Sequence, residues 1–126
     1  MPQIQLAEGQ ARFGHTWMYL FTWDSPVENG LYGSRHALEL RFVFNNLDAD
    51  AGDAAPLALV DAMQDAWIAF AKTGNPNHSG IPTWPRYDSD RRATMLFDQQ
   101  CKVVEDPGKE ERLFWRDLPA LNAVDR

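Results

Sequence analysis

The sequence holds a single cysteine among 126 residues. Cys101 therefore has no internal partner for a disulfide, and no Cys/His spacing of a zinc module surrounds it. Basic residues are also few, with 12 Lys and Arg against 18 Asp and Glu and a formal charge of -6. That balance repels a phosphate backbone and no local Lys/Arg cluster reverses it, so no nucleic-acid partner is expected. Long apolar runs are missing. Residues 17–23, apolar but for one Thr, are far too few to cross a bilayer, so no membrane partner is expected either. The opening residues 1–5 (MPQIQ) lack the basic-then-apolar order of a secretory signal. The compartment stays unknown, with the cytoplasm as the default expectation.

What is present is an ordinary globular composition, 44% hydrophobic and 24% charged, in a length that suits one domain without an internal boundary. Residues 4–14 carry Leu6, Ala7, Ala11 and Phe13 between polar residues, with Gly14 as a stop, and predict a short helix. Residues 16–23 (TWMYLFTW) are almost continuously apolar. A strand without polar alternation must be covered on both faces, as in the interior of a parallel or mixed sheet. Few other strands exist here to flank it, a first sign of something larger. Residues 24–35 hold Pro26, Asn29, Gly30 and Gly33 and predict a loop. Over residues 38–44 the four-residue spacings Leu38/Phe42 and Leu40/Phe44 suit a short buried helix, although their alternation equally suits a strand.

Residues 50–56 form a small-residue linker. Pro56 then suits the first turn of the best-signalled helix, in which Leu57, Val60, Met63, Trp67 and Phe70 recur at helical spacing before Gly74 and Pro76. Met63, Trp67 and Phe70 are expected in the core, and Trp84 as a packing anchor beneath the loop 80–86. Residues 94–97 and 102–104 predict a hairpin. Asp106-Pro107 reads as an N-cap and first-position proline opening a last helix through Glu110, Phe114 and Leu118. Arg91-Arg92 reads as a solvated turn, and Cys101 as a buried spectator.

Three histidines offer chemistry. His15 and His78 are expected to be solvated loop residues. His36 leaves a Gly/Ser loop after a buried strand and stands at the expected start of an apolar helix. A general base for acyl transfer needs a rigid, largely neutral imidazole that reaches a cleft, and a helix N-terminus disfavours the imidazolium. Spacing alone leaves a buried or capping histidine as the stronger reading.

Further motifs add to that spacing. Gly33-Ser34-Arg35-His36-Ala37-Leu38-Glu39-Leu40-Arg41-Phe42-Val43-Phe44 resembles the histidine motif of type-B carboxylesterases, the family of the bacterial para-nitrobenzyl esterases and the cholinesterases. Tyr19-Leu20-Phe21-Thr22-Trp23 resembles the strand that precedes it. Downstream, Trp67 to Pro76 is similar to the family's W-x-x-F-A-x-x-G-x-P, Trp84-Pro85-Arg86-Tyr87 to its W-P-x-Y, and Phe114-Trp115 to its terminal pair. The likeness runs from about Leu6 to Leu118.

This resemblance implies an α/β fold: the C-terminal portion, over residues 1–126, of an α/β-hydrolase domain, with a buried sheet strand, a hairpin and several helices. As a domain it is incomplete. A triad of Ser, acid and His in chain order is implied, with its histidine on His36. The nucleophile has no counterpart, because serine occurs only at positions 25, 34, 79 and 89 and never in G-x-S-x-G. Oxyanion-hole glycines and the triad acid are missing too. Glu39 lies three residues past His36, where it suits a capping-box role and, by extension, steadying the His36 loop. As metal ligands the two would lack a third partner, so no metal or cofactor is expected.

The resemblance thus implies a serine carboxylesterase acting on a small-molecule carboxylic ester, of which this chain is a fragment inactive alone. Two alternatives stand beside it: a noncatalytic binding protein of the same fold, and one chain of a split hydrolase whose partner supplies the N-terminal portion.

Overall fold

The computed structural model describes residues 2–47 and 55–116. The linker at 50–54 and the end of the last helix at Leu118 lie outside them. Seven elements follow in order: α1 (Pro2–Ala11), β1 (Met18–Phe21), α2 (Glu39–Val43), α3 (Leu57–Thr73), β2 (Ala93–Phe97), β3 (Lys102–Glu105) and α4 (Lys109–Arg116), with a short 3-10 turn at Val27–Gly30.

Three strands form one mixed sheet in the order β1-β2-β3. β1 and β2 run parallel, with Tyr19 opposite Met95 and Phe21 opposite Phe97. β2 and β3 form the expected antiparallel hairpin, with Met95 opposite Val103. Side chains alternate across a sheet, so Tyr19, Phe21, Met95 and Phe97 share one face. That face meets the helices. Tyr19 and Phe97 pack on Trp67 of α3 at ring separations of 5.1 and 6.1 Å, and Phe21 packs on Phe42 of α2 at 5.0 Å. Phe42, Met63, Met95 and Phe97 are fully buried at its centre, each contributing about 2–3 kcal/mol by removal from water.

α3 follows its periodicity, with two adjustments. Pro56 precedes the helix with an extended backbone instead of sitting in its first turn, and its carbonyl accepts the Leu59 and Val60 N–H groups. Gly74 ends the helix at φ 73°, a left-handed cap that glycine takes without a Cβ clash. Val60, Met63 and Ala66 are buried and Trp67 packs on the core from a half-buried position. Phe70, expected inside, is 49% exposed, because the buried stripe ends at Ala66, and its ring meets Trp17 edge-on at 5.9 Å. Trp84 is the expected anchor. Its Nε1 donates to Met18 O at 3.2 Å, and its own carbonyl accepts Trp17 Nε1 at 3.2 Å.

Four further sequence expectations need correction. β1 is not an interior strand: among the described residues it is a four-residue edge strand, and Leu20, on the face away from α2 and α3, is 48% exposed. His78 is a staple rather than a solvated residue. Gly80 N–H donates to its Nδ1 at 3.1 Å, so Nε2 carries the proton and donates to Ala62 O of α3 at 3.0 Å. Arg92 is not solvated either. Its guanidinium pairs with Glu8 of α1 and Asp106 and donates to the Tyr87 hydroxyl at 3.1 Å. Arg91 is the exposed member, paired with Glu105 at 2.8 Å. Finally, α4 opens at Lys109, after left-handed Asp106 and Gly108. Asp106 uses its carboxylate to accept Arg112 Nε at 2.9 Å and Nη2 at 2.5 Å.

Candidate functional site

β1 ends at Phe21, and Thr22 ties the following chain to the hairpin turn by donating through Oγ1 to Asp98 Oδ2 at 2.9 Å. Residues 25–33 then make an excursion that closes on itself, Ser25 N–H donating to Gly33 O at 3.3 Å. Gly33 needs its glycine: φ is 48°, and a Cβ there would lie 3.2 Å from Asp24 Oδ1. Ser34 Oγ donates to Phe21 O at 3.0 Å. The chain thus returns to the end of β1 just before His36.

His36 itself is exposed. It does not stand in the first turn of a helix, as its sequence suggests. α2 starts at Glu39 and is five residues long, and His36 occupies a tight turn before it, closed by Leu38 N–H donating to Arg35 O at 3.2 Å. So short a helix, opening three residues on, does not set its N-terminus against the ring. Glu39 opens α2 and makes no capping hydrogen bond, so the expected capping box is not formed.

Both side chains line one groove of about 570 Å³. It runs along β1, residues 17–21, past residues 34–37 and Glu39, and ends at Tyr87, Arg92, Thr94 and Asp106. The structure brings His36 and Glu39 to the same opening without a hydrogen bond between them. Tyr19 shares the groove. Its hydroxyl is held above the ordinary phenol value of 10.0, first by burial and then by the negative charge of Glu39. At the far end, Asp106 is held below the usual carboxylate value of 3.8, chiefly by the Arg112 hydrogen bonds, with burial opposing them.

His15 is exposed, its ring edge-on to Trp17 at 6.1 Å. Cys101 is half-buried against the core, and burial pushes its thiol above the ordinary value of 9.0. Among the described residues no group of three His, Cys, Asp or Glu is placed to hold a metal, and no helix is long and apolar enough to cross a membrane. Sequence reasoning met Tyr87 only inside a motif and Arg92 only as a solvated residue, and so missed the cluster that joins them. Glu8 lies 84 residues from Arg92, a separation at which no local pattern signals the pair.

The model of the carboxylesterase family matches residues 1–115. The para-nitrobenzyl esterase of Bacillus subtilis (strain 168) is 37% identical over 118 residues, covering 88% of this chain and 24% of its own length. The phenmedipham hydrolase of Pseudarthrobacter oxydans is 33% identical over 109 residues, covering 79% of this chain and 22% of its own. A solved PNB esterase superimposes with a TM-score of 0.77 at 37% identity, over 87% of this chain and 23% of that one. The chain therefore spans about a quarter of the length of these relatives and has the fold of that quarter of an α/β-hydrolase.

Proposed function

The chain belongs to the carboxylesterase family, and from that premise we propose that it is the C-terminal portion of a carboxylic ester hydrolase in which His36 carries the proton. The observation that supports this most is the placement of His36: exposed, on a groove along an open strand edge, inside the motif that resembles the family's histidine segment. In the complete enzyme the nucleophilic serine, the triad acid and the oxyanion hole lie on polypeptide outside these 126 residues. His36 takes the serine proton as Oγ attacks the ester carbonyl and delivers it to the departing alcohol. It then takes a proton from water and returns it to the serine as the acyl group leaves.

Glu39 is a positioning residue in this reading. Its negative charge is felt at Tyr19 on the same groove, and it touches the chemistry only through the segment that carries His36. In the full-length enzyme Glu39→Gln lowers kcat about tenfold with KM unchanged, the scale of loss expected when a catalytic group is slightly misplaced. An unchanged kcat would remove Glu39 from the site.

The chain alone lacks the groups that act as a unit with its histidine, so it is expected to hydrolyse esters no faster than a solvent-exposed imidazole. Purified chain and its His36→Ala version are compared on a p-nitrophenyl ester. Equal rates are expected. A rate that falls at least tenfold with the substitution contradicts the fragment reading and points to a chain that is competent by itself.

A further inference from the structure

Among the described residues the ring of His36 makes no hydrogen bond, so the backbone turn that carries it bears directly on where it stands. That backbone is gripped on both sides. Ser34 Oγ is fastened to Phe21 O at the end of β1, and the Leu38 side chain, 2% exposed, is sunk in the core. Between those anchors lies the four-residue turn from Arg35 to Leu38, with His36 at its second position and Ala37 at its third. Ala37 has φ 66°. A positive φ at the third position is the mark of a type II turn, which asks for glycine or asparagine. Alanine adopts it against crowding between its Cβ and the backbone. The residue here is therefore not the one that the turn prefers.

Alanine has one property at this position that glycine lacks. With the anchors enforcing a positive φ, a Cβ leaves a single small left-handed well, whereas glycine opens the broad mirror-image regions as well. The direction in which the His36 Cα–Cβ bond leaves the turn depends on that torsion. We propose that Ala37 is a positioning residue, its left-handed backbone in the Arg35–Leu38 turn fixing the His36 imidazole over the groove. The proposal rests on the reading of His36 as the proton carrier and adds the device that aims it.

The test uses the full-length enzyme with Ala37→Gly and Ala37→Asn. Both residues accept a positive φ, so both variants fold, and thermal melting checks that they do. Glycine widens the well, and kcat is expected to fall about tenfold while KM and Tm hold, since small misplacements of a reacting group are costly. Asparagine restores a Cβ and favours the left-handed region, and it is expected to return kcat to within about twofold of the parent. A merely structural role would move Tm and not kcat. A glycine variant with parental kcat, or an asparagine variant as impaired as glycine, overturns the proposal. His36→Ala in the same background separates this failure from that of the functional reading: a variant that stays active defeats the reading, whereas an inactive one beside a fully active Ala37→Gly defeats only the positioning role.

Discussion

His78 illustrates how a single side chain can fasten a loop. Its ring spans from the Gly80 N–H to the Ala62 carbonyl and so joins the loop that follows α3 to the helix itself. Removing it takes the second partner from the Ala62 carbonyl, which keeps its helical bond within α3, and leaves the Gly80 N–H to solvent. His78→Ala is expected to cost about 2 kcal/mol, roughly the sum of two net hydrogen bonds, read as a fall in Tm. A Tm unchanged within a degree rules the staple out. Cys101 gives a second prediction at this scale. Burial keeps its thiol protonated at neutral pH, and the thiolate is the reactive form. Alkylation by iodoacetamide at pH 7 should be at least tenfold slower in the folded protein than in denaturant, and equal rates contradict the burial.

α3 and the hairpin were readable in the sequence because their signals are local. Val60, Met63 and Trp67 repeat at helical spacing, Gly74 supplies the left-handed stop, and residues 98–100 separate two apolar runs. α4 was readable only in part. Asp106-Pro107 resembles a cap, but the carboxylate is taken by Arg112 and, beyond it, Arg92. This cluster has a pH signature. The Asp106 carboxyl is depressed from 3.8, so its contribution to stability is complete above that value and is lost as the pH falls through the depressed one. Asp106→Asn should cost about 2 kcal/mol at pH 7, the scale of a charge-assisted hydrogen-bond pair. That cost should shrink steadily below about pH 4. Denaturation at pH 7 and at pH 3 measures it, and an equal cost at both contradicts an ionised Asp106 as the source. β1 was legible in a more informative way. Its apolar run demands cover on both faces, whereas among the described residues β1 lies at the sheet edge and leaves Leu20 half exposed. The demand was legible, and what meets it in the complete fold was not.

Across the whole molecule the same imbalance recurs. Leu6, Phe13, Leu31, Phe44, Leu57 and Phe114 are all more than half exposed, and an open strand edge with apolar neighbours is a template for association. The isolated chain should therefore self-associate in sedimentation at micromolar concentration, and a monomer with a cooperative melt would count against an incomplete domain. The site is equally divided. That His36 leaves a loop after β1 was legible from the residues around it, but the turn that holds it was not, because nothing in an alanine announces a left-handed backbone. The central claim is that this imidazole moves the proton for a nucleophile carried on the rest of the polypeptide. It is tested most directly by kcat for a p-nitrophenyl ester, measured on the full-length protein and on His36→Ala. The account predicts a fall on the order of 10⁴-fold or more at unchanged Tm, and a variant that keeps a tenth of the parental rate contradicts it.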